Sequence, residues 1–242
     1  MSGRRPDRAS WLTARPYAHR GLHGAGVSEN GMAAFEAAIA RGFGIECDVR
    51  LSRDGVPIIF HDAVLTRLTR SAGAVANYEA AAIAGMSLPD GSAPPMLDHL
   101  LQRCAGTVPL LIEIKADDRH VARVCAAVAA DLARHPAAQA AIMSFNPMAV
   151  RWFRRQYPDR MRGLVVAERH GRGWRGRLKR ALALWLARPD FIACDIAGLP
   201  SSLATRLRAR GVPVLTWTVR TAEERARAAR HADQIIFEQP HD

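Results

Sequence analysis

Residues 43–62 read FGIECDVRLSRDGVPIIFHD, and this stretch decides the fold. Phe43–Leu51 has the apolar, β-rich character of a buried strand. Successive side chains of a strand face opposite ways, so Glu46 and Asp48 share one face, and Ile45, Cys47 and Val49 share the other. Arg53, Asp54 and Gly55 form a turn signal, and Val56–Phe60 is a second strand. Parallel neighbours need a crossover of about a dozen residues or more. This connection is far shorter, so Val56–Phe60 must run antiparallel to the strand before it. It is a hairpin folded over the end of a sheet, not the next member of a βα series. It carries His61 toward Glu46 and Asp48.

The flanking chain supplies the series. Residues 1–14 read as a polar, loose leader and Arg15–His19 as a short strand. Met32–Arg41 reads as a helix with Met32, Phe35 and Ile39 on one face and Asn30 as its cap. Residues 63–108 break the rhythm. Short Ala-rich helical pieces near Tyr78–Ala84 and Leu97–Cys104 flank a Pro/Gly/Ser loop, and the whole reads as an inserted helical lobe. Strands then recur at Leu110–Lys115, Ala141–Phe145, Gly163–Glu168, Phe191–Asp195, Val214–Val219 and Gln234–Glu238. Helices lie between them, one striped by Val121, Val124, Cys125, Val128 and Leu132, another opened by a Thr221–Glu224 capping box. Without the hairpin the strands number eight. The pattern predicts an α/β protein: one (β/α)8 TIM-barrel domain over residues 1–242. An open doubly wound sheet is the competing architecture, but no Gly-x-Gly-x-x-Gly or phosphate loop stands where it would be needed.

The 242 residues are 49% hydrophobic and carry a formal net charge of +11. Lysine occurs only at Lys115 and Lys179, so the positive field is almost all arginine. Such a field attracts phosphates, anionic membrane or nucleic acid. No stretch approaches the ~20 apolar residues of a membrane span. Residues 1–16 lack the apolar core of a secretion signal. Cys47, Cys104, Cys125 and Cys194 share no metal-site spacing and read as reduced and buried. The expected location is cytoplasmic.

In such barrels the site lies at the C-terminal strand ends. Two carboxylates on one buried strand are costly to desolvate without positive charge between them. A divalent cation or bridging arginines would serve. By alternation Glu113 and Lys115 also share a face. Glu46, Asp48 and Glu113 can thus converge on one hard cation, Mg2+ or Ca2+. Arg20 and Lys115 sit beside them, and His19 and His61 arrive from different directions. A metal with Arg and Lys suits an anionic phosphate. Two histidines supply a general base and a general acid, each worth about 100- to 10,000-fold. Phosphodiester cleavage needs both, because an alcohol leaves poorly without a proton.

Seven short motifs recur in order along nearly the whole chain. They are His19-Arg20-Gly21, Glu29-Asn30, Glu46-x-Asp48-Val49, Asp54-Gly55-x-Pro57 with His61-Asp62, Glu113-Ile114-Lys115, Ser144-Phe145 and Trp217-Thr218-Val219. The set resembles the glycerophosphodiester phosphodiesterase family, a metal-dependent barrel with a helical lobe where residues 63–108 fall. The resemblance implies that Glu46, Asp48 and Glu113 ligate Mg2+ or Ca2+ and that His19 and His61 are the acid/base pair. It implies that Arg20 and Lys115 hold phosphate, Glu29 lines the glycerol side and Trp217 forms an apolar wall. The substrates implied are small glycerophosphodiesters, cut to glycerol 3-phosphate and an alcohol. Two departures stand out. Ser28-Glu29-Asn30-Gly31 replaces the common Pro-Glu-Asn-Thr, and Phe237-Glu238-Gln239-Pro240 the common Thr-Asp-x-Pro. Both are expected at the pocket rim, away from the metal and the histidines.

Other polar strand ends read more blandly: Ser144 and Asp195 as structural, Glu168 as paired with arginine, Asp62 as a turn residue or a partner of His61. In residues 172–188, Trp174, Leu178, Ala181, Leu182 and Trp185 share one helical face flanked by arginines. The expectation is an outer helix packing that face inward; the alternative is peripheral contact with anionic membrane. Two functional alternatives compete with the glycerophosphodiesterase: a lysophospholipase D-like enzyme acting on lysolipids, and a non-catalytic basic barrel that binds membrane or nucleic acid. No nucleic-acid partner is expected, because a dead barrel should have lost at least one of His19, Glu46, Asp48, His61 and Glu113.

Overall fold

The strand expected at 43–51 runs over Gly44–Leu51 (β2) and pairs in parallel with β1 (Tyr17–His19). The computed structural model describes residues 9–116, 121–168 and 173–239. Residues 1–8 of the expected leader, together with His120, His170, Arg172 and Pro240, lie outside the described residues. After the turn, β3 (Pro57–Ile59) pairs back antiparallel, with Val49 opposite Ile59 and Leu51 opposite Pro57. Six parallel strands complete the series: β4 (Leu110–Ile114), β5 (Ala140–Ser144), β6 (Arg162–Val166), β7 (Phe191–Asp195), β8 (Val214–Val219) and β9 (Gln234–Phe237). β9 returns to pair with β1, so eight parallel strands close a barrel and β3 hangs from β2. The open sheet is excluded.

Helices α1 (Ser10–Ala14), α2 (Met32–Ala40), α3 (Ala80–Ala84), α4 (Leu97–Cys104), α5 (Val121–Arg134), α6 (Pro147–Gln156), α7 (Trp174–Ala187), α8 (Ser202–Ala209) and α9 (Ala222–His231) surround it. Ile45, Cys47 and Val49 join the apolar side chains of α2, α4 and α5 in the main core. The hairpin and α3 share a smaller cluster built on Ile58, Phe60, Leu65, Val75 and Ile83. Asn146, Ser201 and Thr221 cap α6, α8 and α9 with their side chains, and Glu224 completes the capping box of α9.

Three local expectations change. The leader is not loose throughout: α1 covers the floor of the barrel, with Leu12 fully buried and its carbonyl accepting the Tyr17 hydroxyl at 3.1 Å. A barrel open at its N-terminal end needs an apolar cover, and Trp11-Leu12 is too short a pattern to announce one. Asn30 does not cap α2; Gly31 takes the N-cap position, and the Asn30 side chain is engaged elsewhere. The Trp face of α7 does not pack inward. Ala183, Leu184 and Ala187 do, and the two small alanines let the helix approach the barrel closely.

Inside the barrel, glycines make room for rings. A Cβ on Gly44 would stand 2.5 Å from Tyr17 Cδ1, and one on Gly163 would stand 2.3 Å from Phe191 Cε2. Both aromatic side chains are fully buried. Overpacking of this kind costs about 1–3 kcal/mol. Gly163→Ala should therefore lower the melting temperature by about 2–12 °C in a thermal scan. Phe191→Leu introduced with it should cost less than the sum of the two single changes, because the two side chains contest one space.

Candidate active site

Register alone gathers the first residues of the site. His19 on β1 is the Cα partner of Glu46 on β2, and Asp48 is the partner of Glu113 on β4. All four point inward at the C-terminal end of the barrel. The ligand atoms of Glu46, Asp48 and Glu113 lie within 4.8 Å of one another, and all three residues are buried.

Asp48 is the most heavily held. Its Oδ2 accepts a hydrogen bond from Asn30 Nδ2 at 3.0 Å and faces Arg20 Nε at 3.1 Å. Lys115 Nζ stands 2.9 Å from its Oδ1 and also bonds Glu113. Arg20 and Asn30 both adopt left-handed backbone, φ 57° and 55°, and the Asn30 amide donates to the Arg20 carbonyl at 2.9 Å. That conformation is uncommon for residues other than glycine, least so for asparagine, and at Arg20 it is held by the surrounding contacts. Here it aims both side chains at Asp48 and turns the Arg20 amide to Glu46 Oε2, 3.1 Å away. The other oxygen of Glu46, Oε1, is buried without a hydrogen-bond partner.

The charges do not balance. Burial opposes ionisation of Asp48, but Lys115 and Arg20 overcome it and hold this carboxyl below the usual carboxylate range. Burial, reinforced by Asp48 and Glu113, pushes Glu46 well above that range. Burial also pushes Glu113 up to about 7, against the pull of Lys115. Two cations thus serve three carboxylates, and Glu46 Oε1 points at nothing. Three converging carboxylate oxygens with one orphaned are a donor set that fits a hard divalent cation.

Each histidine is oriented by a carboxylate. His19 Nδ1 lies 2.6 Å from Glu238 Oε1, and Arg220 Nε donates to Glu238 Oε2 at 2.6 Å. Burial opposes these contacts, yet they hold Glu238 down to about 2. His61 Nδ1 lies 2.8 Å from Asp62 Oδ1, and Arg50 Nε fixes the His61 carbonyl at 2.8 Å. With Nδ1 committed, Nε2 is the nitrogen available on each ring. Burial, with Arg20 and Lys115 and against Asp48, lowers the pKa of His61 from its ordinary value.

A cavity of about 480 Å³ collects these groups. His19, Arg20, Glu46, His61, Glu113 and Lys115 form its polar side, and Phe145, Ile196 and Trp217 form an apolar side. Trp217 donates through Nε1 to the Ala193 carbonyl at 3.1 Å and meets Phe145 edge to face, with centroids 5.6 Å apart. One extra residue between Thr216 and Val219 bulges β8 where Trp217 emerges. Asp48 lies beneath the cavity wall. Glu29 lies behind Arg20, its carboxylate taking Arg20 Nη1 at 2.8 Å and Arg67 Nη2 at 2.7 Å. Ser144 is a loop brace, donating to the Ile114 carbonyl at 2.7 Å. Asp195 accepts the Glu168 amide at 2.8 Å. Glu168 is bonded by the Ser201 hydroxyl rather than by an arginine.

The expectation that both sequence departures stay clear of the histidines is overturned at Glu238, which holds His19 directly. The longer Glu side chain at this strand end was the available signal. Asn30 and Phe145 were also missed as parts of the site. Each stands in a quoted motif, Glu29-Asn30 or Ser144-Phe145, but its partner, Asp48 or Trp217, comes from a distant strand.

Comparison with known proteins agrees with this geometry. The profile of the glycerophosphoryl diester phosphodiesterase family matches residues 19–240. The chain belongs to that family. A Bacillus subtilis (strain 168) protein, YhdW, which carries the glycerophosphodiester phosphodiesterase name by assignment, is 25% identical over 235 residues, 92% of this chain and 93% of that one. A Bacillus altitudinis glycerophosphodiester phosphodiesterase is 46% identical over a local match of 63 residues, 26% of this chain and 25% of that protein. A structure from Silicibacter pomeroyi DSS-3, assigned to the same family, superposes with a TM-score of 0.82 at 26% identity, covering 96% of this chain and 94% of that chain. An Oleispira antarctica phosphodiesterase solved with its product sn-glycerol-3-phosphate shares the fold at a TM-score of 0.81 and 21% identity, over 94% of both chains. As a member of the family the protein is a phosphodiesterase, and divalent-metal dependence is general to that family.

Glu238 fixes the ring of His19, and losing an orienting partner is ordinarily costly without being fatal. Glu238→Gln should reduce kcat/KM for a glycerophosphodiester by about 10- to 100-fold, the usual effect of losing an orienting partner. Circular dichroism should be unchanged, and steady-state kinetics reads the loss.

Proposed function

We propose that the protein hydrolyses glycerophosphodiesters to glycerol 3-phosphate and an alcohol, using one Mg2+ or Ca2+ held by Glu46, Asp48 and Glu113. The observation that carries this reading is the orphaned Glu46 Oε1 in a buried carboxylate cluster that shares one cavity with two carboxylate-oriented histidines. A bound cation would supply Lewis-acid polarisation of the phosphoryl group and a template for it. Arg20 and Lys115 bind the non-bridging phosphate oxygens. Glu29, salt-bridged to Arg20, sets the guanidinium on the glycerol side.

His61, its pKa lowered, is neutral at pH 7 and suited to take the proton of the glycerol 2-hydroxyl. That oxygen attacks phosphorus as the P–O bond to the alcohol breaks, and His19 delivers a proton to the departing oxygen. Water then opens the cyclic phosphate with the proton roles reversed. Trp217 and Phe145 pack against the carbon skeleton and keep water from that side. The same apolar wall, with Phe145 exposed beside Lys115, supports a second reading in which lysolipids are the substrates. Release of choline from lysophosphatidylcholine outpacing release from glycerophosphocholine would select it.

The test is release of glycerol 3-phosphate from glycerophosphocholine. Release should require Mg2+ or Ca2+, stop in EDTA, and fall by about 100- to 10,000-fold in His19→Ala. Release that ignores EDTA, or survives His19→Ala, would overturn the proposal. The pH profile tests the base. A lowered pKa keeps His61 unprotonated below its ordinary 6.5, so kcat/KM should hold through pH 6.5. It should fall only as the pH passes the lower, folded-state value. An acid limb centred above pH 6.5 would reject His61 as the base.

A further inference from the structure

α7 carries its largest apolar side chains on the outside. Trp174 is 70% exposed, Leu178 62%, Leu182 54% and Trp185 65%. Among the described residues these are half of the exposed large hydrophobic side chains, so the exposure is concentrated on one helix. At about 100° per residue, the four and Ala181 fall in a sector about 100° wide. The opposite side holds Ala183 and Ala187, and Ala187 is the one buried residue of the helix. An outer barrel helix ordinarily has the reverse arrangement.

Cations frame the apolar sector. Arg175 stacks its guanidinium on Trp174, 5.3 Å from the ring centroid. Lys179 extends the same edge, and Arg188 closes the helix. α6 packs beside α7 and adds Arg151, Arg154 and Arg155. Among the described residues, no carboxylate pairs with any of these six. Burial and then repulsion by Arg188, Arg151 and Arg155 lower the pKa of Arg154, as befits uncompensated like charge. The face is therefore apolar at its centre and cationic at its borders.

Its position is also specific. α7 follows β6, so its first turn stands at the C-terminal end of the barrel, where the active site opens. Between α7 and α8 runs a groove of about 660 Å³, lined by Arg177, Leu178, Leu184, Leu203 and Arg206 among others. The groove starts at Glu168 and Gly198, the chain neighbours of Ala167 and Ala197 in the wall of the catalytic cavity.

We propose that α7 docks the protein on an anionic lipid bilayer, lying in the plane of the interface beside the mouth of the active site. Trp174, Leu178, Leu182 and Trp185 enter the headgroup–acyl boundary, and the flanking arginines and Lys179 meet lipid phosphates. Fourteen residues make a helix about 21 Å long, too short to span a hydrocarbon core of about 30 Å. Like charge on both faces opposes pairing with a second copy. Nucleic acid has no use for protruding leucines between the cations. The proposal holds whichever phosphodiester the enzyme cuts.

The full chain is sedimented with vesicles of phosphatidylcholine alone and of phosphatidylcholine with about a third phosphatidylglycerol. Partition into the anionic vesicles should be at least about tenfold the stronger, given about fivefold per basic side chain near the surface, and should fall with added salt. Trp174→Ser with Trp185→Ser should cut partition at least about tenfold, and so, separately, should Arg175→Glu with Lys179→Glu. Hydrolysis of glycerophosphocholine in solution should be unchanged in both variants, which also shows that they fold. Failure to bind anionic vesicles, or equal binding by the Trp variant, overturns the proposal. So does a self-association of the native chain, or retention of a duplex oligonucleotide, that these variants abolish while vesicle binding is absent.

Discussion

Asp48 is the residue on which the rest of the site depends. Its carboxylate is buried at the C-terminal end of β2 and touches Arg20 and Asn30 from the loop after β1 and Lys115 from the end of β4. Breaking a buried charge pair by removing one partner costs about 3–5 kcal/mol, because the other charge is left unsolvated. That energy explains the left-handed backbone at Arg20 and Asn30. The loop after β1 is bent to serve Asp48, and in bending it brings the Arg20 amide to Glu46. The carboxylate cluster, the two cations beside it and the approach to His19 are thus one electrostatic unit.

The barrel makes that unit affordable by dividing its interior. The lower part is dry: Tyr17, Phe191, Leu111, Leu215 and Ile236 fill it, and Leu12 closes it from below. The upper part is polar and opens to the cavity. Glycines at Gly44 and Gly163 let two rings lie across the lower barrel without swelling it. A close-packed floor excludes water from beneath the carboxylates, which strengthens every charge interaction above it. The aromatic wall of Trp217 and Phe145 limits water from one side as well.

The exterior follows a different logic. Helices α2, α4 and α5 bury apolar stripes in the ordinary way. α7 buries alanines and exposes tryptophans, in a chain whose net charge is +11. Stability of the barrel gains little from that arrangement, since Trp174 and Trp185 are 70% and 65% exposed. An anionic lipid surface would give both the rings and the arginines a partner.

Much of this was legible before any coordinates. The short turn at Arg53–Gly55 forced an antiparallel hairpin, the strand count gave the barrel, and alternation placed Glu46, Asp48, Glu113 and Lys115 on inner faces. These are local consequences of backbone geometry, with a period of two and a limit on how tightly a chain can reverse. What Glu238 does for His19, what Asn30 does for Asp48, and which side of α7 faces the barrel were not legible. Residues 19 and 238 lie 219 positions apart and meet only because the barrel closes. Asn30 reads as a cap because its neighbours in sequence form a helix, while the buried charge that claims its side chain lies on another strand. A helix with large apolar groups on one side ordinarily turns that side inward, and only the contacts of α7 with β6 show that Ala183, Leu184 and Ala187 face the barrel instead. The sequence by itself determined which residues share a strand face; the tertiary structure decided their partners, because long-range contacts are set by closure and packing rather than by local pattern.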